Sequence, residues 1–220
     1  MSIINSLEWR YATKKFDPNR KVSNQDIDIL KRSIQLAPSS YGFQLYKVLI
    51  ITDQTIKENL VKHSYYQSQV RDCSHLFVFC SYKTVKPEHV DEFIALMQEA
   101  RTNDKEEGLK QKFQSAAKIK AYSIIAKADL GSRDPKDAEE WMKRQCYIAL
   151  GNLMATCADM RIDSCPFEGF KSKEYDRILG LTDRNLTSAV LCPVGYRSPE
   201  DHHQHRTKVR KPKERLFEEK

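Results

Sequence analysis

Met142, Cys146, Ala149, Leu150, Leu153, Met154 and Cys157 recur at the 3.6-residue period of an α-helix. They make an apolar stripe too wide to face water, so the helix they predict over 138–160 must be covered along its length. Ala149, Gly151 and Ala155 on the same segment invite close approach of another helix. The segment is therefore either the centre of the core or a dimer interface. Around it lie β-branched and aromatic runs that read as strands at 47–52, 75–82 and 187–196. Pro193 lacks an N–H and argues for an edge or a bulge near the end of the last one. Strands separated by helical stretches point to an α/β or α+β sandwich.

The remaining elements are shorter. An N-terminal helix should carry Leu7 and Trp9 inward and present Arg10 at its end. Ser23 can cap a second helix, with Asp26 three residues on and Ile27, Leu30 and Ile34 as its buried face. Residues 56–63 look helical. Residues 87–130 are polar and helix-prone, opened by Pro87-Glu88 and interrupted at Gly108. A helix over 172–179 ends at Gly180. No repeat or linker divides the 220 residues, so 1–220 reads as one domain.

Hydrophobic content of 40% and charged content of 30% describe a soluble globular chain. The N-terminus is soon charged and no apolar run is long enough to span a bilayer, which predicts a cytoplasmic protein with no membrane partner. Cys73, Cys80, Cys146, Cys157, Cys165 and Cys192 show no C-x-x-C spacing, as expected of buried reduced thiols. His202, His203 and His205 lack partner carboxylates or cysteines at ligand spacing, so no metal is expected.

Thirty-seven Lys and Arg against 30 Asp and Glu give a net charge of +7. Residues 202–220 hold seven Lys or Arg against three Glu. A basic tail can serve nucleic acid, and a basic nucleic-acid-binding or scaffold protein without a cofactor is one reading of the chain. No nucleic-acid motif accompanies the tail, and an anionic cofactor accounts for the same charge with fewer assumptions. Neither G-x-G-x-x-G nor G-x-x-x-x-G-K-[ST] occurs, which argues against a Rossmann or P-loop site.

Four motifs remain. The first is Arg10-Tyr11-Ala12-Thr13-Lys14-Lys15-Phe16-Asp17. The second is Ala37-Pro38-Ser39-Ser40-Tyr41-Gly42-Phe43-Gln44, where Pro38 ends a helix and Ser39, Ser40 and Gly42 offer hydroxyls, donors and a close backbone approach. Pro166-Phe167-Glu168-Gly169-Phe170 and Lys208-Val209-Arg210-Lys211-Pro212 follow. In this order and at these separations they resemble the FMN-dependent nitroreductase family, most closely its NAD(P)H nitroreductase and dihydropteridine reductase branch.

That resemblance implies an α+β sandwich with a central, mostly antiparallel sheet flanked by helices, in an intertwined homodimer with FMN at the subunit interface. Residues 87–134 would be a helical excursion and 199–220 a tail wrapping the partner. The implied activity is two-electron hydride transfer from NADH or NADPH through flavin N5 to a nitroaromatic, a quinone or another small acceptor, in ping-pong order. A dihydropteridine or flavin reductase on the same scaffold is the alternative.

The resemblance also assigns residues. The FMN phosphate needs fixed cations, for which Arg10, Lys208 and Arg210 are suited, with Tyr11 and Ala12 beside them. Lys14 would stabilise charge at N1 and O2 of the ring. Gln69, and next Gln67, would meet the pyrimidine edge. The backbone N–H of Glu168 or Gly169, in a turn stiffened by Pro166 and followed through Phe167, would face N5. Pro38, Ser39, Ser40 and Gly42 would contact the flavin held by the other chain. Three departures from the pattern stand out: Ala12 in place of a serine, Gly42 in place of an amide and Leu45 in place of a proline.

Overall fold

The computed structural model describes residues 2–102 and 109–220, with side chains at 2–100 and 117–220. The break expected at Gly108 lies outside the described residues. In chain order the elements are α1 (Ile3–Trp9), α2 (Asn24–Gln35), β1 (Tyr46–Ile51), α3 (Gln54–Val61), α4 (Gln69–Asp72), β2 (His75–Tyr82), α5 (Pro87–Thr102) and α6 (Leu109–Ser132). They continue with α7 (Pro135–Asp159), β3 (Asp163–Ser164), α8 (Ser172–Ile178), β4 (Leu186–Gly195) and α9 (Lys213–Leu216).

The apolar stripe lies on α7, and it is the centre of the core. Asp134 caps the helix by accepting from Lys136 N at 2.9 Å, and Pro135 at the first position loses no hydrogen bond there. Cys146, Ala149, Leu150, Leu153 and Cys157 are buried against α2 and the sheet, and Met142, nearer the start of the helix, is buried in a separate cluster. Gly151 points away from them into open space. Ser23 caps α2 by accepting from Asp26 N at 3.1 Å, which leaves Ile27, Leu30 and Ile34 against α7.

The sheet is antiparallel throughout, in the order β1-β2-β4-β3. Alternation along β2 divides its side chains between two cores. Phe77 and Phe79 face α7, while Leu76, Val78 and Cys80 face Leu60, Val70 and Tyr175 on the other side. This two-faced sandwich is α+β, one of the two architectures the strand and helix pattern left open and the one the resemblance implies.

Two expectations are corrected. Pro193 lies in β4, between β2 and β3, and not on an edge. Its carbonyl accepts from Cys165 N at 3.1 Å, so its missing donor falls on the same side, where the two-residue β3 has already ended. The ladder loses nothing there. The irregularity in β4 lies further back, where Ala189 is skipped in the pairing with Phe79 and Cys80. Leu7 is 41% exposed instead of turned inward. Ser6 takes the inner position because its hydroxyl donates to Asp159 at the end of α7. Trp9 is half-buried, with the guanidinium groups of Arg197 and Arg161 at 4.2 and 4.9 Å from its ring centre.

The excursion packs through α5 and α6 onto a third cluster that includes Phe43, Leu45, Val90, Ala126 and Met142. Leu45 is buried in it. Among the described residues no helix is long and apolar enough to cross a membrane.

Candidate functional site

The end of α1, the strand-like segment after it and the C-terminal tail enclose a cavity of about 500 Å³. Arg10, Tyr11, Ala12, Lys14, Pro166, Lys208 and Arg210 line it together with His203 and Arg206. Residues from the first, third and fourth motifs, distant in sequence, thus meet at one place. The helix end explains part of this. Lys208 Nζ donates to Leu7 O at 2.5 Å and Glu8 O at 3.0 Å, satisfying carbonyls that α1 leaves without partners. The tail is thereby laid against Arg10.

Asp201 fixes the other wall. It is 1% exposed and accepts from Tyr11 Oη at 2.8 Å, Lys14 N at 2.7 Å, Lys15 N at 3.0 Å and His203 N at 3.0 Å. Burial pushes its carboxyl up, but the Lys15 and Lys14 N–H groups, the Tyr11 hydroxyl and the His203 N–H outweigh that and hold it down at about 2. Asp163, also buried, accepts from Arg197 N and Arg197 Nε at 2.8 Å each. Sequence reasoning missed both carboxylates. Asp201 could have been read as a cap for the short turn His202–His205, but its partners near residue 11 leave no local signal.

The cavity is electrostatically incomplete. Arg10 Nε is buried with no hydrogen-bond partner among the described residues, while Arg10 Nη2 reaches only Tyr11 O at 3.2 Å. Burial and the nearby Arg10 and Arg210 charges push the Lys208 ammonium below its usual range. Clustered cations with an unused buried donor favour a bound anion with several acceptor oxygens, such as a phosphate.

The P-F-E-G turn stands beside this cavity. Phe167 is buried and exchanges two 3.0 Å backbone bonds with Leu191, and Lys171 N donates to His63 O at 2.8 Å. Between these anchors the N–H groups of Glu168 and Gly169 donate to no described residue. A Cβ at Gly169 would come within 2.9 Å of the Gln67 amide nitrogen. Gln67, the second choice from the sequence, is therefore the glutamine that lies on this turn, while Gln69 is 5% exposed at the start of α4. The Glu168 side chain turns to a separate cavity of about 330 Å³, where Tyr147 Oη donates to it at 2.5 Å. Cys165 is 2% exposed and burial pushes its thiol up, which leaves it an unreactive core residue.

Pro38, Ser39, Ser40 and Gly42 do not line the cationic cavity of their own chain. Their loop is held against the helices: Ser40 N donates to Gln145 of α7 at 2.8 Å, and Tyr122 of α6 donates to Tyr41 O at 2.7 Å. Gly42 has φ +77°, and a Cβ there would meet the Phe93 ring at 2.9 Å. Packing of Phe93 of α5 onto the loop thus favours a residue without a side chain at this position. Gly42 also borders a groove of about 730 Å³ between α2, β1 and α5. Among the described residues no three His, Cys, Asp or Glu side chains converge as metal ligands would.

The chain has relatives among known proteins. The model of the Nitroreductase family matches residues 7–196. The oxygen-insensitive NAD(P)H nitroreductase of Salmonella typhimurium is 30% identical over the full length of both chains. The protein of that name from Enterobacter cloacae is 30% identical over 91% of each. A nitroreductase-type protein from Exiguobacterium sibiricum, solved in complex with FMN, has the same fold, with a TM-score of 0.82, 16% identity, and coverage of 100% of this chain and 98% of that one.

Proposed function

Because this chain belongs to the nitroreductase family, we propose that it is an FMN-dependent NAD(P)H oxidoreductase reducing nitroaromatics, quinones or similar small acceptors by two-electron steps. The cationic cavity beside a turn with two unengaged N–H groups is the observation that carries this reading. FMN, when bound, supplies the ring whose N5 accepts hydride from NADH or NADPH and passes it to the acceptor in ping-pong order. Arg10, Arg210 and the remaining donor capacity of Lys208 hold the phosphate. Tyr11, Ala12 and Pro166 form the walls. Gln67 and the more buried Gln69 meet the pyrimidine edge, and the Glu168 and Gly169 N–H groups orient the ring at N5. The purified chain is expected to be yellow and to oxidise NAD(P)H when a nitroaromatic is added. A colourless chain that takes up no FMN overturns the proposal.

Lys14 has its own test. Its backbone is pinned by Asp201 while its side chain is exposed at the cavity mouth. Lys14→Met keeps the stem and removes the charge that favours electron density at N1 and O2. The flavin midpoint potential is expected to fall with FMN still bound, as read by redox titration. An unmoved potential would return Lys14 to the role of a surface lysine.

The proposed assembly is a cytoplasmic homodimer in which each site draws on both chains. Ser39, Ser40 and Gly42 lie away from their own cavity, and the tail exposes Val209, Leu216 and Phe217. A tail crossing a partner would bury those apolar groups, and the partner's loop would complete the flavin site. Mixing an Arg10-defective chain with a Ser39/Ser40-defective chain under exchange conditions is expected to recover activity, because one of the two sites in the heterodimer carries no lesion. No recovery, or a fully active monomer in sedimentation, rejects the shared site.

A further inference from the structure

We infer that Tyr147 is a positioning residue for the Glu168–Gly169 turn, acting through the Glu168 carboxylate. This rests on the proposed flavin site but concerns a residue outside the four motifs. The turn is anchored at Phe167 by β4 and at Lys171 by His63, and Phe170 N closes it onto Glu168 O at 2.9 Å. Glu168 itself lies between the anchors and is exposed. The side-chain bond from Tyr147 Oη at 2.5 Å is its tie to the rest of the molecule.

Tyr147 stands on the helix best fixed in the fold. Its neighbours Cys146, Ala149 and Leu150 are buried in the core, which fixes the Tyr147 backbone relative to the sheet, while Tyr147 itself is 42% exposed. Burial and the adjacent Glu168 carboxylate push the phenol well above its usual range, which keeps it a donor. The surroundings show what the tie prevents. Arg144, and Lys143 already paired with Glu139 and Glu140, border the same cavity of about 330 Å³ as Glu168, which gives a released carboxylate room and a cation, Arg144, to move toward. Such a swing would carry the Glu168 Cα and tilt the peptides on either side of it. Those peptides bear the two N–H groups that face the proposed flavin.

A fixed N–H favours the oxidised ring, whose N5 accepts a hydrogen bond, over the reduced ring, whose N5 carries its own hydrogen. Tyr147→Phe should therefore retain FMN, because the phosphate cations lie elsewhere, yet raise the flavin midpoint potential. It should also slow reduction by NAD(P)H about tenfold at unchanged KM, as expected when a reacting group loses its orientation. Glu168→Ala should do the same, and the double variant should be no worse than either single one. Additive effects, or a wild-type potential and rate in Tyr147→Phe, overturn the inference.

The tie can also be read without the flavin. The ¹⁵N order parameter at Gly169 is expected to fall in flavin-free Tyr147→Phe and Glu168→Ala. In Glu168→Gln, whose Oε1 still accepts from Tyr147, it is expected to hold. Unchanged order in all three variants rejects the tie even if FMN binds. Failure to bind FMN, with order lost as expected, rejects the functional reading and keeps the tie.

Discussion

Arg10→Ala is expected to raise the FMN dissociation constant about 10- to 150-fold, the equivalent of losing one charge-assisted hydrogen-bonding group at about 1.5–3 kcal/mol. The effect should be large because Arg10 Nε is already buried and unpartnered, so its desolvation is met in the folded chain whether or not an anion arrives. Arg10→Lys should recover only part of the loss, since a single ammonium does not present the paired donors of a guanidinium. Arg210→Ala should cost less, because that side chain is exposed and already donates to Val209 O at 2.7 Å. Lys208→Ala has two consequences, as it also removes the donor to the α1 carbonyls, so its melting temperature should fall along with affinity. Fluorescence titration of the apoprotein with FMN, beside thermal melts by circular dichroism, separates these cases. Unchanged affinity in Arg10→Ala and in a combined Lys208→Ala/Arg210→Ala variant would remove the phosphate from this cavity.

Periodicity and capping carried most of the fold. The stripe on α7, the Ser23 cap of α2 and the limits of β2 follow from patterns a few residues long, and the folded chain obeys them. Pro193 and Leu7 did not follow local rules because tertiary partners decided them: a strand that stops at Ser164 in one case, and an Asp159 that attracts Ser6 in the other. The site divided along the same line. The cations and the P-F-E-G turn were reached through the resemblance carried by the four motifs, and the fold brings residues of three of those motifs to one cavity. Asp201, Asp163 and Tyr147 were not, since each acts on backbone or side chains at least twenty residues away. That Gln67 lies against Gly169 while Gln69 is buried was equally invisible, because it depends on how the chain enters α4.

Asp201→Asn is expected to destabilise the chain by about 2 kcal/mol or more at neutral pH, and the deficit should shrink in acid. In the folded chain the carboxyl is held at about 2 against an ordinary 3.8, and each unit of such a shift is worth about 1.4 kcal/mol of differential stability. Because the folded value is depressed, the contribution is fully present above the ordinary carboxyl range. It is lost as pH falls from about 4 through about 2 and the group takes up a proton in both states. The amide of asparagine would also place an NH₂ among donors that now converge on Oδ2 from Tyr11, Lys14 and Lys15, leaving at least one of them unsatisfied. Urea denaturation of both proteins at a series of pH values between 2 and 7 isolates the effect, since all other carboxyls titrate alike in the two. The difference curve should be flat from pH 5 upward and shrink below pH 4. A deficit that stays constant down to pH 2 would mean that Asp201 acts by shape and not by charge. Because the same carboxylate pins the Lys14 backbone, FMN affinity at pH 7 should fall in this variant, although Asp201 is not among the residues that line the cavity.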